Sequence, residues 1–424
     1  MPAARRRPTP RPFSTSLRPV PCLGNLACVA VRPFFGMSSP CRRARPHSRR
    51  SGSAASPSSP SCGDALPLPI LSGTSDEGGC LMANQSYIYL GLAGETGPGR
   101  VVHSGLFRLT DGSSEWEPLQ QGLPEMPAVR ALAVHPERPE ILYAGTQSGP
   151  YRSADRGEHW EKVELPDHGL PVWSVLFHPH DPDVILVGCE NCEIYRSDDA
   201  GERWTRLPVA VRFPEITTAA GANPAKRVLR LDASAGEPEL LYGAIEVGGT
   251  IRSTDGGEHW ENLSHGQYLN DDAVDMHGVL VSRWRPGTVF GIGRAGMFAS
   301  ADGGDHWRHV PLEPLNPKGQ IYCRDIRAVP GTPRKLWVAA GGSFQSEVGV
   351  LLHSRDGGDS WSRVEMGLSP PHTMFALAFD EHRPERMSCA TNGGEVYTSL
   401  DGGESWITHP TPPGGTQVYA LARG

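Results

Sequence analysis

Ser253–Trp260 reads STDGGEHW, a short, polar, glycine-rich stretch that ends in tryptophan, the side chain with the largest apolar ring to bury. Close copies recur along the chain: SADRGEHW from Ser153, SDDAGERW from Ser197, SADGGDHW from Ser300, SRDGGDSW from Ser354 and SLDGGESW from Ser399. A degenerate copy, LTDGSSEW, keeps Asp111 and Trp116 at the same spacing. Successive aspartates, Asp111, Asp155, Asp199, Asp255, Asp302, Asp356 and Asp401, are 44 to 56 residues apart. A period of about 40 to 50 residues is that of a four-stranded propeller blade. Each period carries four strand-like runs separated by turn residues, as in VRALAV at Val129, ILYAGT at Ile141, PYRS at Pro150 and HWEKV at His159.

Seven boxes predict an all-β, seven-bladed β-propeller over residues 82–424. The first unit offers only YIYLGLA, GLFRL and EWEPL and lacks an inner strand. The run VYALARG, Val418–Gly424, follows the last box and matches the inner-strand runs VRALAV and MFALAF. Pairing this C-terminal strand into the first blade would close the ring and remove both exposed sheet edges.

The repeat itself reads as a staple between the third and fourth strands of each blade. The aspartate accepts hydrogen bonds from its own turn, and the glycine two residues on supplies a position of positive φ. The tryptophan, Trp116, Trp160, Trp204, Trp260, Trp307, Trp361 or Trp406, is expected to bury its ring beneath the turn.

With S-x-D-x-G-x-x-W repeated in this way, residues 82–424 resemble the Asp-box, or bacterial neuraminidase, repeat proteins. That repeat is shared by sialidases, other glycoside hydrolases, sortilin-type receptors and photosystem II assembly factors. The resemblance therefore implies the propeller fold and leaves the activity open.

Charge divides the chain unevenly. Residues 1–81 hold eleven arginines and no lysine against Asp64, Asp76 and Glu77, a net +8 that leaves −15 on the rest of a chain whose formal charge is −7. This Arg-, Pro- and Ser-rich head has too few apolar residues for a core and reads as disordered. Translation from Met82 is the simplest account of it, and an organelle transit peptide is the alternative. The acidic body argues against nucleic acid as a partner. No run approaches the length of a membrane span. Cys189, Cys192, Cys323 and Cys389 are too scattered for a disulfide framework, which makes a reducing, cytoplasmic setting the expectation. The C-x-x-C of CENC reads as a cross-strand pair of small buried side chains.

If the boxes occupy one face of the ring, ligand chemistry belongs on the other, around the mouth of the central channel. Glu190 and Glu246 fall in loops between second and third strands there. The long loop SHGQYLNDDAVDMHGVLV brings His265, Tyr268, Asn270, Asp271, Asp272, Asp275 and His277 toward the same rim. Arg130, Arg230 and Arg324 start inner strands, and His168 and His372 lie in other entering loops.

Glu246 and Asp275 are the candidate carboxylates of a glycoside hydrolase, since two carboxyl groups flanking the scissile bond do that chemistry. The sialidase resemblance implies more: Arg130, Arg230 and Arg324 gripping a substrate carboxylate, and Tyr268 or Tyr322 paired with Glu246 as nucleophile. The aromatic-Arg-Ile-Pro signature of that family is absent upstream of the first box. Asp275 and His277, joined by His265, are the only candidates for a divalent cation, and their spacing is not diagnostic. The leading expectation is a monomeric binding propeller without a cofactor, taking a small molecule, glycan or protein at its mouth. The alternatives are an exo-acting glycoside hydrolase and an assembly-factor scaffold.

Overall fold

The computed structural model of the protein describes residues 85–94, 104–216, 225–266, 270–412 and 414–424. The head, residues 1–81, lies outside them. Seven four-stranded antiparallel sheets account for all the strands among the described residues. Among the described residues the only helices are two short 3-10 turns, Ser264–Gly266 and Asp271–Val274, and no helix is long and apolar enough to cross a membrane.

The inner strands of blades two to seven are Ala131–Val134, Val172–Phe177, Val228–Ala233, Met276–Val281, Tyr322–Val329 and Met374–Phe379. Blade one is completed by the last strand of the chain, Val418–Arg423, which pairs with Tyr87–Ala93. Tyr87 N–H donates to the Gly424 carbonyl at 2.6 Å, so the ring is closed down to the final residue. The core lies between blades rather than within them. Tyr89 and Leu106 of blade one pack with Val129, Leu142 and Trp160 of blade two, for example, and Leu186 and Ile194 of blade three with Leu231 and Ile251 of blade four.

Six boxes share one hydrogen-bond network. In the box of blade four, Gly257 N–H donates to Ser253 Oγ at 2.8 Å, Ser253 Oγ donates to Asp255 Oδ1 at 2.8 Å, and His259 N–H donates to Asp255 Oδ1 at 2.9 Å. Two consecutive left-handed residues make the turn, Gly256 and Gly257 here. Arg156 and Ala200 adopt the first of these conformations in blades two and three, although only glycine does so without steric penalty.

Two expectations about the boxes are corrected. Only Trp160 and Trp260 are fully buried; Trp116, Trp204, Trp307, Trp361 and Trp406 remain half-buried. Asp111 does not staple its own turn, because Leu109 stands where the other boxes have serine. Its carboxylate instead pairs with Arg423 of the closing strand and with Arg386 of blade seven. The degenerate box has become the latch of the ring.

Candidate functional site at the channel mouth

Six of the seven inner strands meet their neighbours through the same irregularity. In blades three to seven the ladder skips one residue, respectively Trp173, Leu229, His277, Arg324 and Phe375. In blade one it skips Tyr419. Arg130 holds the equivalent place immediately before the blade-two strand, its N–H donating to the Gly145 carbonyl at 2.8 Å. A bulge leaves one residue out of the pairing and re-aims its side chain. All seven of these side chains line the central channel, a cavity of about 630 Å3.

Five of them build a continuous aromatic and cationic wall. The Trp173 ring has the Arg130 guanidinium at 4.8 Å and that of Arg227 at 4.5 Å. Tyr419 meets Trp173 edge-on at 6.1 Å and Phe375 at 5.5 Å. Phe375 in turn carries Arg324 over its face at 4.4 Å and Phe344 at its edge at 5.7 Å. Guanidinium groups over ring faces and edge-to-face rings are attractive arrangements. Two donors in this wall are buried without an acceptor among the described residues, Trp173 Nε1 and Arg324 Nε. Met126, Phe344 and Val348 stand exposed on the surrounding loops.

The carboxylates do not stand free at the mouth. Glu246 and Glu190 flank one residue, Arg227, at 2.8 and 3.5 Å. Burial works against the Arg227 charge, but Glu246 and then Glu190 outweigh it and hold the guanidinium above its ordinary pKa. Asp275 is buried beneath the loop, where its Oδ1 accepts Val247 N–H at 3.3 Å, with Arg294 at 3.9 Å. Burial raises its pKa above the usual carboxylate value. His277 Nε2 is 3.8 Å from Asp275, while Nδ1 donates to the Cys323 carbonyl at 2.8 Å and the ring packs on Tyr322. Burial first, and Arg324 after it, push His277 down to about 3, so this imidazole is neutral at neutral pH and presents no positive charge to Asp275.

The three arginines of the sialidase comparison are not equivalent. Arg130 and Arg324 belong to the mouth layer. Arg230 lies one residue deeper, 3.5 Å from Asp325, which also accepts Arg327 at 3.1 Å. Burial, reinforced by Arg327, pulls Arg230 down to about 10, still charged at neutral pH. His372 sits on the rim of blade seven, 3.0 Å from Glu395, and exposed His168 lies 3.6 Å from Glu164. His265 is exposed, Asn270 caps the second 3-10 turn, Asp271 is buried, and Asp272 joins Arg294 to Lys318. Tyr268 lies outside the described residues. Among the described residues no three His, Cys, Asp or Glu side chains gather as a metal-ligand set. Cys189 and Cys192 are buried free thiols.

Trp173, Phe375, Tyr419 and Arg227 are absent from the sequence-derived candidates. Aligning the inner-strand runs on their second residue would have singled out the first three. Arg227 precedes its strand and carries no such signal.

Residues 104–232 match the Sortilin-Vps10 family, described as sortilin, neurotensin receptor 3. Over 75 residues the chain is 36% identical to the photosystem II assembly lipoprotein Ycf48 of Synechococcus sp. (strain CC9902), a stretch covering 18% of this chain and 22% of that relative. The GH74 xyloglucanase of Xanthomonas campestris superposes with a TM-score of 0.51 at 18% identity, over 66% of this chain and 45% of the enzyme. A putative 6-phosphogluconolactonase of Bacteroides fragilis NCTC 9343 gives 0.51 at 9% identity, over 80% of this chain and 98% of that one. The matched regions thus span less than half of the xyloglucanase and less than a quarter of the Ycf48 relative. The two structural likenesses speak to the fold alone.

Proposed function

Taking the chain as an Asp-box β-propeller of the superfamily that includes sialidase-like, Ycf48-like and sortilin-like proteins, we propose that it is a binding protein whose channel mouth receives a segment of a partner protein. The observation that carries this reading is the wall made by Arg130 and the bulge-presented Trp173, Arg324, Phe375 and Tyr419, with two buried donors left unsatisfied. Trp, Tyr and Arg are the residues that dominate binding energy at protein interfaces. The exposed Met126, Phe344 and Val348 extend the apolar area beyond what a small ligand would cover. The assembly role in the Ycf48 relative's name accords with a protein partner. Buried free thiols accord with a cytoplasmic, reducing setting, and the reading requires no cofactor and no second copy of the chain.

The hydrolase alternative has less support. Glu246 is engaged by Arg227, and Asp275 is buried outside the channel cavity. The test is a peptide array probed with the wild-type protein, Trp173→Ala and Arg324→Gln, alongside an assay of sugar release from xyloglucan and sialyllactose. Peptides selected by the wild type should lose about thirtyfold or more in affinity with either variant. Sugar release that disappears in Glu246→Gln would replace this reading with the hydrolase.

A further inference from the structure

The face opposite the mouth holds a second cavity, of about 410 Å3, between blades six and seven. Three other blades show what is missing from it, whereas blades five and seven, which set Phe290 against Ala299 and Ser388 against Thr398, carry no such clasp either. Arg108, on the third strand of blade one, donates to the Arg156 carbonyl in the next box at 2.9 Å and pairs with Glu158 at 2.5 Å. Arg252 of blade four repeats this with the Gly303 carbonyl and Asp305, both at 2.8 Å. Arg196 of blade three reaches the Gly256 carbonyl at 3.1 Å. Directly across the ladder from Arg108 and Arg252 stand Tyr89 and Tyr242, whose hydroxyls donate to the same two carbonyls at 3.1 and 2.8 Å. A tyrosine and an arginine together clasp the next blade.

In blade six the corresponding ladder pair is Trp337 and His353. Glu404, the counterpart of Glu158 and Asp305, is retained in the blade-seven box, but among the described residues no arginine pairs with it across the interface. His353 is too short, and burial followed by the nearby Arg355 lowers its pKa, so it brings no charge at neutral pH. The cavity lies where the clasp would be, with charges sorted by wall. Lys335 and Arg355 line the blade-six side, and Glu385 and Glu404 the blade-seven side. Among the described residues no ion pair joins these two walls. The indole of Trp337, itself buried, supplies the apolar floor.

We propose that this groove is a ligand site for a guanidinium-bearing amino acid, free arginine or an arginine at the C-terminal end of a chain. The guanidinium takes the place of the missing clasp against Glu404 and the Gly402 carbonyl. The carboxylate faces Lys335 and Arg355, and the aliphatic stem lies against Trp337. The planar guanidinium matches a carboxylate and a carbonyl together, which an ammonium does less well. The volume is that of a small-molecule pocket. This site is on the opposite face from the channel mouth and does not rest on the function proposed there.

The test is calorimetric titration of the full chain with L-arginine, agmatine, L-citrulline and the dipeptide Gly-Arg. L-arginine or Gly-Arg should bind saturably, and L-citrulline, isosteric but uncharged, should not. Binding of both identifies free arginine as sufficient, whereas binding of Gly-Arg alone identifies a chain terminus. Agmatine, which lacks the carboxylate, should bind about tenfold more weakly, as should the better ligand to Glu404→Gln. His353→Arg supplies the clasp from within, and it should raise the Tm and abolish binding. The proposal is overturned if neither L-arginine nor Gly-Arg gives saturable heat at about 10 mM, ten times a weak millimolar Kd. It is equally overturned if Glu404→Gln or His353→Arg binds as the wild type does.

Discussion

The two faces of this ring use repetition in opposite ways. On the box face, six turns present the same serine, aspartate and glycine, with the serine hydroxyl accepting the glycine N–H at 2.7 to 2.9 Å each time. On the mouth face the backbone repeats as faithfully, but the residues it presents are Tyr419, Arg130, Trp173, Leu229, His277, Arg324 and Phe375. Where side chains close the hydrogen bonds of a turn, their chemistry is fixed. Where a bulge only requires that one residue leave the ladder, the side chain is released for other work. Sameness marks what holds the ring together, and difference marks what the ring can hold.

The largest expected effect comes from breaking the box face alone. Trp260→Ala removes a buried indole whose Nε1 donates to the Gly257 carbonyl at 3.0 Å, and it should cost about 3 to 5 kcal/mol in chemical denaturation. Peptide binding by the folded fraction should be unchanged. Normal stability with selective loss of binding would break the division between faces.

An intermediate effect separates the faces within one strand. Val418–Arg423 carries Tyr419 at the mouth and Arg423 at the latch, where its fully buried side chain pairs with Asp111 and donates to Ser388 Oγ at 2.9 Å. Arg423→Ala should cost about 3 kcal/mol, since one partner of a buried pair is removed. Tyr419→Ala should lower the Tm less and weaken peptide binding more. The reverse ranking in thermal melts and array binding would assign the mouth a structural role.

The smallest effect sharpens the comparison by pH. Backbone and side-chain hydrogen bonds from His259 hold Asp255 at about 2, and box bonds hold Asp302, Asp356 and Asp401 at about 2 as well. A carboxylate depressed in the folded state stabilises above its unfolded pKa near 4 and loses that contribution as the pH falls toward 2. The Tm should therefore decline between about pH 4 and pH 2, and less steeply in Asp255→Asn. An identical slope in that variant would remove the box aspartates as its cause.

The sequence by itself determined the blade count, the place of each box and the closing strand. These depend on turn chemistry and strand alternation within about fifty residues, which the order of residues displays directly. Placing the mouth opposite the boxes followed from the same topology, and so did Arg130, Arg324 and His277 as channel residues. Only the tertiary structure decided that Glu190 and Glu246 share Arg227, that Asp275 is buried, and that Asp111 serves Arg423 rather than its own turn. Each of those outcomes depends on side chains that the fold brings together from separate strands, from as far as 312 residues apart for Asp111 and Arg423. The bulges were not read for a related reason: one residue leaving the ladder shifts the alternation of faces by one, but an inner strand such as Met374–Phe379 is apolar at every position and hides the shift that turns Trp173, Phe375 and Tyr419 into the channel wall.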